Sequence, residues 1–251
     1  DVALVASVGA DQAAHEYRQF LKTEGIDLSG PTANKPTGTA LIWVDSTGEN
    51  SIAVASGANQ QFRAKSLDSD RIRQADVLVT QLEIPIPTVS RALAIAREAG
   101  VLTVLNAAPM QPLPSRMLQL VDYLVVNTVE AATLCGQTIR TVAQAKSALS
   151  ALVALGPKRV VITLGKLGSV ASNGRQPIIH TRAVATQTLD TTGAGDTFVG
   201  YLSANLGRGL SLERALSTAA CAASLSVGKR GAVASIPTDR AVQRRLLQTK
   251  R

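Results

Sequence analysis

Strand-length apolar runs alternate with segments of helical period along most of this chain, and that alternation restricts the fold more than any other feature. Residues 2–8 form an apolar run with Ser7 its one polar residue. Asp11 follows as a candidate N-cap, Ala14, Tyr17, Phe20, Leu21 and Glu24 recur at helical spacing, and Gly25 supplies a stop. The same grammar returns in a strand at 76–81 with a helix over 89–98 halted by Gly100, a strand at 101–105 with a helix over 113–120, and a strand at 123–126 with a helix over 130–134. Residues 159–164 make a further strand, short β pieces follow at 169–172 and 178–183, and helices begin near Gly195, Ser211 and Thr238. A strand that returns through a helix lies parallel to its predecessor, so the chain predicts a mostly parallel sheet covered by helices.

One segment departs from this pattern. Residues 39–45 and 51–55 alternate around the turn 46–50, which is hairpin grammar and not a crossover unit. It reads either as a lid beside the α/β body or as an extension of the sheet edge.

Composition closes off several classes. A chain of 251 residues with 45% hydrophobic and 18% charged residues can bury a substantial core, and no run approaches the roughly 18 apolar residues of a membrane span. The apolar stretch 219–227 is short and broken by Ser224 and Ser226, and the start lacks the basic region of a signal peptide. Cys135 and Cys221 are far apart, and with His15 and His180 they build no zinc cage; a reducing, cytoplasmic compartment fits. The net charge of +8 suits phosphate esters or nucleic acid, but 3% aromatic residues are too few for base-stacking platforms. Arg240, Arg244, Arg245, Lys250 and Arg251 read as the solvated face of a terminal helix, so neither nucleic acid nor membrane is expected as a partner.

The segment richest in chemistry is 189–198. Gly193 and Gly195 free the backbone for close approach, and the periodic run through Phe198, Leu202 and Leu206 places them at a helix N-terminus, where unpaired N–H groups attract anions. It is neither a Walker A loop nor a dinucleotide turn, since no GxxxxGK[ST] occurs and Phe198 stands where the third glycine would be. Asp196 inside an anion site is the unusual part. A carboxylate there repels phosphate, unless it takes a proton from a hydroxyl attacking the arriving phosphoryl group. The plainer reading is a helix N-terminal carboxylate complementing the dipole. Asn127 and Glu130 follow directly on a strand, where open α/β sheets bind ligands, or else form an ordinary capping box. Thr163, Gly165 and Gly168 likewise end a strand, either in a tight turn or in a ligand groove, and Glu83 is a further strand-end carboxylate.

These segments, in this order, resemble the ribokinase family, the phosphofructokinase-B type of sugar and nucleoside kinases. The resemblance runs over essentially the whole chain: Val8 to Asp11, Thr37 to Ala40, Gly48-Glu49-Asn50, Gln81-Leu82-Glu83, Asn106 to Pro109, Asn127 to Glu130, Thr163 to Gly168, and Asp190 to Phe198, the last being the most specific. It implies a ribokinase-like three-layer α/β/α fold with a small β lid hairpin at about 37–57, in one kinase domain over 1–251. It also implies ATP-dependent transfer of the γ-phosphoryl group to the primary hydroxyl of a pentose, D-ribose to D-ribose 5-phosphate. In that scheme Asp196 is the base, while Gly193, Ala194 and Gly195 hold the transferring phosphoryl oxygens. Glu83 and Asp196 hold the sugar, and Asn127, Glu130, Thr163, Gly165 and Gly168 serve the nucleotide. Glu130 organises Mg²⁺ through water. Asp190 and Thr192, with oxygens of Ser226, Lys229, Gly231 and Ser235, form a K⁺ loop, and two copies dimerise through the lid. The resemblance departs at the start, where the family's sugar-binding Asp and glycine-rich segment have no counterpart before Asp1, so an N-terminally incomplete domain is expected. Asn106-Ala107-Ala108-Pro109 also stands where Asn-Pro-Ala-Pro is usual. Another sugar or nucleoside kinase of the family, or an inactive nucleotide-binding module, are the rival expectations.

Overall fold

The computed structural model describes residues 1–44, 50–174 and 177–249. The chain opens with β1 (Val2–Val5), α1 (Gln12–Thr23) and β2 (Ile26–Ser29), continues through the hairpin β3 (Thr39–Val44) and β4 (Asn50–Ala55), and reaches α2 (Ser69–Arg73). Strand–helix units follow: β5 (Val77–Thr80), α3 (Ile86–Glu98), β6 (Leu102–Asn106), α4 (Ser115–Leu118), β7 (Tyr123–Asn127), α5 (Thr128–Cys135), α6 (Val142–Ala154) and β8 (Arg159–Thr163). Then come β9 (Ser169–Ser172), β10 (Ile179–Thr181), α7 (Ala194–Gly207), α8 (Leu212–Ser226) and α9 (Asp239–Thr249).

The main sheet has the order β10-β9-β8-β7-β6-β5, with β5 to β8 parallel and β9 and β10 antiparallel at one edge. Period-two alternation divides its side chains between two helical layers. Leu105, Leu124, Val126, Val160 and Ile162 face Val89 and Leu93 of α3 and Ala145, Ala148, Leu149 and Leu152 of α6. Their sequence neighbours Val104, Tyr123, Val125 and Val161 face Phe198, Val199, Leu202 and Leu206 of α7 and Ala215, Leu216, Ala219 and Ala220 of α8. That is the expected three-layer arrangement.

Several boundaries differ from the sequence reading, each for a local reason. The first strand stops at Val5: Gly30 packs so close to Ala6 that a Cβ there would overlap the Ala6 carbonyl, and Val8 makes only an isolated bridge to Thr32. β1 pairs in parallel with β2, which the sequence reading omits, and these two strands form a sheet separate from the main one. The helix expected over 113–120 contracts to α4 because Pro114 disfavours helical backbone at Leu113. α3 begins earlier than expected, at Ile86, with Pro87 tolerated in its first turn, where its missing N–H costs nothing. The hairpin forms as expected, but residues 46–49 of its turn, including Gly48 and Glu49, lie outside the described residues.

Candidate functional site

The C-terminal ends of the parallel strands converge on one edge of the sheet, where α/β proteins bind ligands. Gln81 to Glu83 follow β5, Asn106 ends β6, Asn127 ends β7 and Thr163 ends β8, with Asn127 and Thr163 direct partners in the parallel register. A cleft of about 630 Å³ opens beside Gln81 and Glu83, walled by residues 4–8 and by Thr37 to Ala40 at the base of the hairpin. The hairpin base is anchored by Asp11, whose carboxylate accepts from the Thr37 N–H at 2.7 Å and hydroxyl at 2.6 Å while also capping α1 through the Ala14 N–H at 2.9 Å. These donors, the Thr37 hydroxyl foremost, hold the Asp11 carboxyl below its ordinary pKa.

Gly193 is the N-cap of α7 in the left-handed conformation, φ +72°, and its turn points the start of the helix outward. Gly195 and Asp196 are exposed there, and a Cβ on Gly195 would meet nothing within 4 Å, so the helix start faces open space. Ala194 donates its N–H to the Thr191 carbonyl at 3.2 Å, whereas the N–H groups of Gly193 and Gly195 donate to no described group. Of the three expected phosphoryl-holding residues, Gly193 and Gly195 thus keep free donors. Asp196 Oδ1 accepts from Gln81 Nε2 at 3.0 Å, a bond between positions 115 apart in sequence. Glu83 is near enough that its carboxyl pKa is raised, first by partial burial and then by the Asp196 charge.

Asn127 and Glu130 form a complete capping box. Asn127 Oδ1 accepts from the N–H groups of Val129 and Glu130, both at 2.9 Å, while the Glu130 carboxylate accepts from the Asn127 N–H at 2.7 Å and its Nδ2 at 2.9 Å. Glu130 is buried, and desolvation raises its carboxyl despite the Asn127 amide. Among the described residues no cluster of three or more His, Cys, Asp or Glu could cage a metal alone. Mg²⁺ in phosphoryl-transfer sites commonly takes one or two carboxylates, water and the phosphates themselves, which this donor set fits.

Gly165 (φ +55°) and Gly168 (φ +91°) shape the turn between β8 and β9, and a Cβ at Gly168 would overlap the Thr181 carbonyl. Asp190 is buried, accepting from the Thr192 N–H at 2.9 Å and the Gly231 N–H at 2.8 Å, which ties the segment before α7 to the loop after α8. The Thr192 side chain first, then the Gly231 and Thr192 N–H groups, lower its pKa. Ser226 and Ser235 are also buried, and their hydroxyls donate to Ala223 and Ala232 carbonyls at 2.9 and 2.7 Å. A buried carboxylate beside a turn-rich loop is a donor set that a monovalent cation fits.

Two features escape the sequence reading. Gln81, there only a letter of a motif, is the direct partner of Asp196. Asn106 Oδ1, at the strand end between Gln81 and Asn127, is buried with no hydrogen-bond partner.

Comparison with known proteins agrees with this geometry. The profile described as pfkB family carbohydrate kinase matches residues 1–239. The chain is 38% identical over 242 residues to the ribokinase of Staphylococcus aureus (strain COL), covering 94% of this chain and 79% of that protein. It is 35% identical to the ribokinase of Schizosaccharomyces pombe, with 94% and 77% covered. The structure of Arabidopsis thaliana ribokinase complexed with ribose and ATP superposes with a TM-score of 0.87 at 30% identity, over 96% of this chain and 80% of that one. A profile that accounts for nearly the whole chain, together with glycine-led helix α7 presenting an aspartate to the strand-end Gln81, establishes that the chain belongs to the pfkB family of carbohydrate kinases.

Proposed function

We propose that this protein is an ATP-dependent sugar kinase that transfers the γ-phosphoryl group to the primary hydroxyl of D-ribose, giving D-ribose 5-phosphate. The observation that carries the reading is Asp196. It stands on the first turn of α7 beside free N–H donors, with a second carboxylate, Glu83, close enough to feel its charge. The relatives named ribokinase and the ribose- and ATP-bound neighbour support ribose as the acceptor.

In this mechanism Asp196 takes the proton of the sugar hydroxyl as its oxygen attacks the γ-phosphorus, and the bond to the ADP oxygen breaks. The N–H groups of Gly193 and Gly195 and the dipole of α7 stabilise the charge on the transferring oxygens, with Ala194 keeping the turn in place. Glu83 accepts hydrogen bonds from sugar hydroxyls. Asn127, Glu130, Thr163, Gly165 and Gly168 form the nucleotide side, and Glu130, locked by Asn127, would hold Mg²⁺ through water. That ion would neutralise phosphate charge. Asp190 and Thr192, with the carbonyls of Ser226, Lys229, Gly231 and Ser235, would hold K⁺ and thereby fix the loop that leads into α7.

The same reading makes residues 1–251 one kinase domain with the hairpin as its lid. Leu41 and Trp43 on one face of that hairpin and Ile52 and Val54 on the other are each more than half exposed, a liability on an isolated flap that a second copy would relieve on the face it covers, and the proposed assembly is a homodimer through the lid. Among the described residues no helix is long and apolar enough to cross a membrane, and with free Cys135 and Cys221 the proposed location is the cytoplasm. An ATP-consumption assay offering D-ribose, fructose 1-phosphate, fructose 6-phosphate, 2-keto-3-deoxygluconate and adenosine tests the acceptor. D-Ribose should give the highest kcat/KM, and preference for any other acceptor defeats the assignment.

A further inference from the structure

The proposed base stands exposed on the first turn of a helix, where an aspartate side chain has several open rotamers. The geometry points to Gln81 as the residue that positions it, an assignment that rests on the kinase reading above. Gln81 Nε2 donates to Asp196 Oδ1 at 3.0 Å, and Oδ2 takes no hydrogen bond among the described residues. One oxygen is therefore anchored. The other is left to receive the hydroxyl proton.

Gln81 can act as an anchor because its own backbone is fixed. Leu82 is buried in the core, its N–H donates to the Ala108 carbonyl at 2.9 Å, and its carbonyl accepts from Gln111 Nε2 at 2.6 Å. With Leu82 pinned inward, its neighbours Gln81 and Glu83 both line the cleft, and Gln81 reaches Asp196. The chemistry of the amide also matters. A lysine or arginine at this place would neutralise the base and compete for phosphate, and a carboxylate would add to the repulsion already acting between Glu83 and Asp196. A neutral donor orients the carboxylate without spending its charge. Gln81 touches the base and not the reacting atoms, so its role is positioning.

The test is a double-mutant cycle in the native gene product. Gln81→Leu removes the donor at similar volume, and kcat with D-ribose should fall about tenfold, the low end for a hydrogen bond to a charged group, with KM for ATP within about twofold. In an Asp196→Asn background the same change should cost less than about twofold, because the carboxylate it positions is gone. Equal losses in both backgrounds, or none in either, overturn the assignment. A second readout is independent of the sugar. The ¹H–¹⁵N resonance of the Gln81 side-chain amide, identified by its loss in Gln81→Leu, should shift in Asp196→Ala, and an unmoved resonance overturns the assignment. A parent that shows the amide shift but phosphorylates a sugar other than ribose upholds the anchor and defeats only the substrate reading.

Discussion

Asp196→Asn separates the catalytic role of this residue from its role in the helix. Asparagine has the same size and keeps an Oδ1 that can accept from Gln81, so the geometry of the first turn survives. α7 is held elsewhere, by Phe198, Val199, Leu202 and Leu206 packed on the sheet, none of which contacts depends on the charge. Removing an N-terminal carboxylate at an exposed site costs under about 1 kcal/mol through the helix dipole. Losing a general base costs about 10²- to 10⁴-fold in rate. That corresponds to roughly 3 to 5.5 kcal/mol of transition-state stabilisation. Nucleotide affinity should hold or rise, since a negative charge beside the γ-phosphate is gone. The assay is steady-state ribose phosphorylation with isothermal titration of ATP and a thermal melt on the same preparations. Collapsed kcat, retained ATP binding and an unchanged melt are expected. An Asn variant within a few-fold of the parent refutes the mechanism.

Three further outcomes follow from named groups. K⁺ should activate turnover where Na⁺ does so poorly, and Asp190→Ala should lower activity and flatten the K⁺ response; equal rates in the two salts at matched ionic strength remove the cation assignment. Partial burial, then Asp196, raise the Glu83 carboxyl, so kcat/KM for ribose should fall on acidification at a pH above the ordinary glutamate range, and Glu83→Gln should lower kcat/KM and abolish that limb. Burial alone would raise Asp122, yet the Lys158 ammonium at 2.6 Å and the Thr103 amide at 2.9 Å outweigh it and bring its carboxyl below the usual range. That stability is present above the unfolded aspartate value and lost as pH falls through the folded one, so Asp122→Ala should lower stability by about 1–3 kcal/mol near neutrality and by less in acid, read from denaturant melts.

The parallel body was legible because its strands carry their signal in their own residues. β7 and β8 are apolar on both faces, as strands buried between two helical layers must be, and α7 announces itself by Gly193 and Gly195 ahead of a periodic run. β2 was not legible: Ile26, Asp27, Leu28 and Ser29 are four residues of mixed character that become a strand only by pairing with β1. α6 had a readable start, with Thr141 and Gln144 as a capping box ahead of Ala145, Ala148, Leu149 and Leu152 at helical spacing, and the sequence reading passed over it. Candidate site residues could be named where chemistry and backbone coincide, as at Asp196 and Gly168. The Gln81–Asp196 bond joins positions 115 apart in sequence through the fold, and no local pattern encodes it.

The central claim is that this site places phosphate on the primary hydroxyl of ribose, and the most direct measurement is the product itself. With ATP, Mg²⁺, K⁺ and D-ribose, ³¹P NMR of the reaction in the native gene product should show ADP and one new phosphomonoester coupled to the two protons on C5. A product phosphorylated at another carbon, or ribose left untouched while a different acceptor consumes ATP, would contradict it.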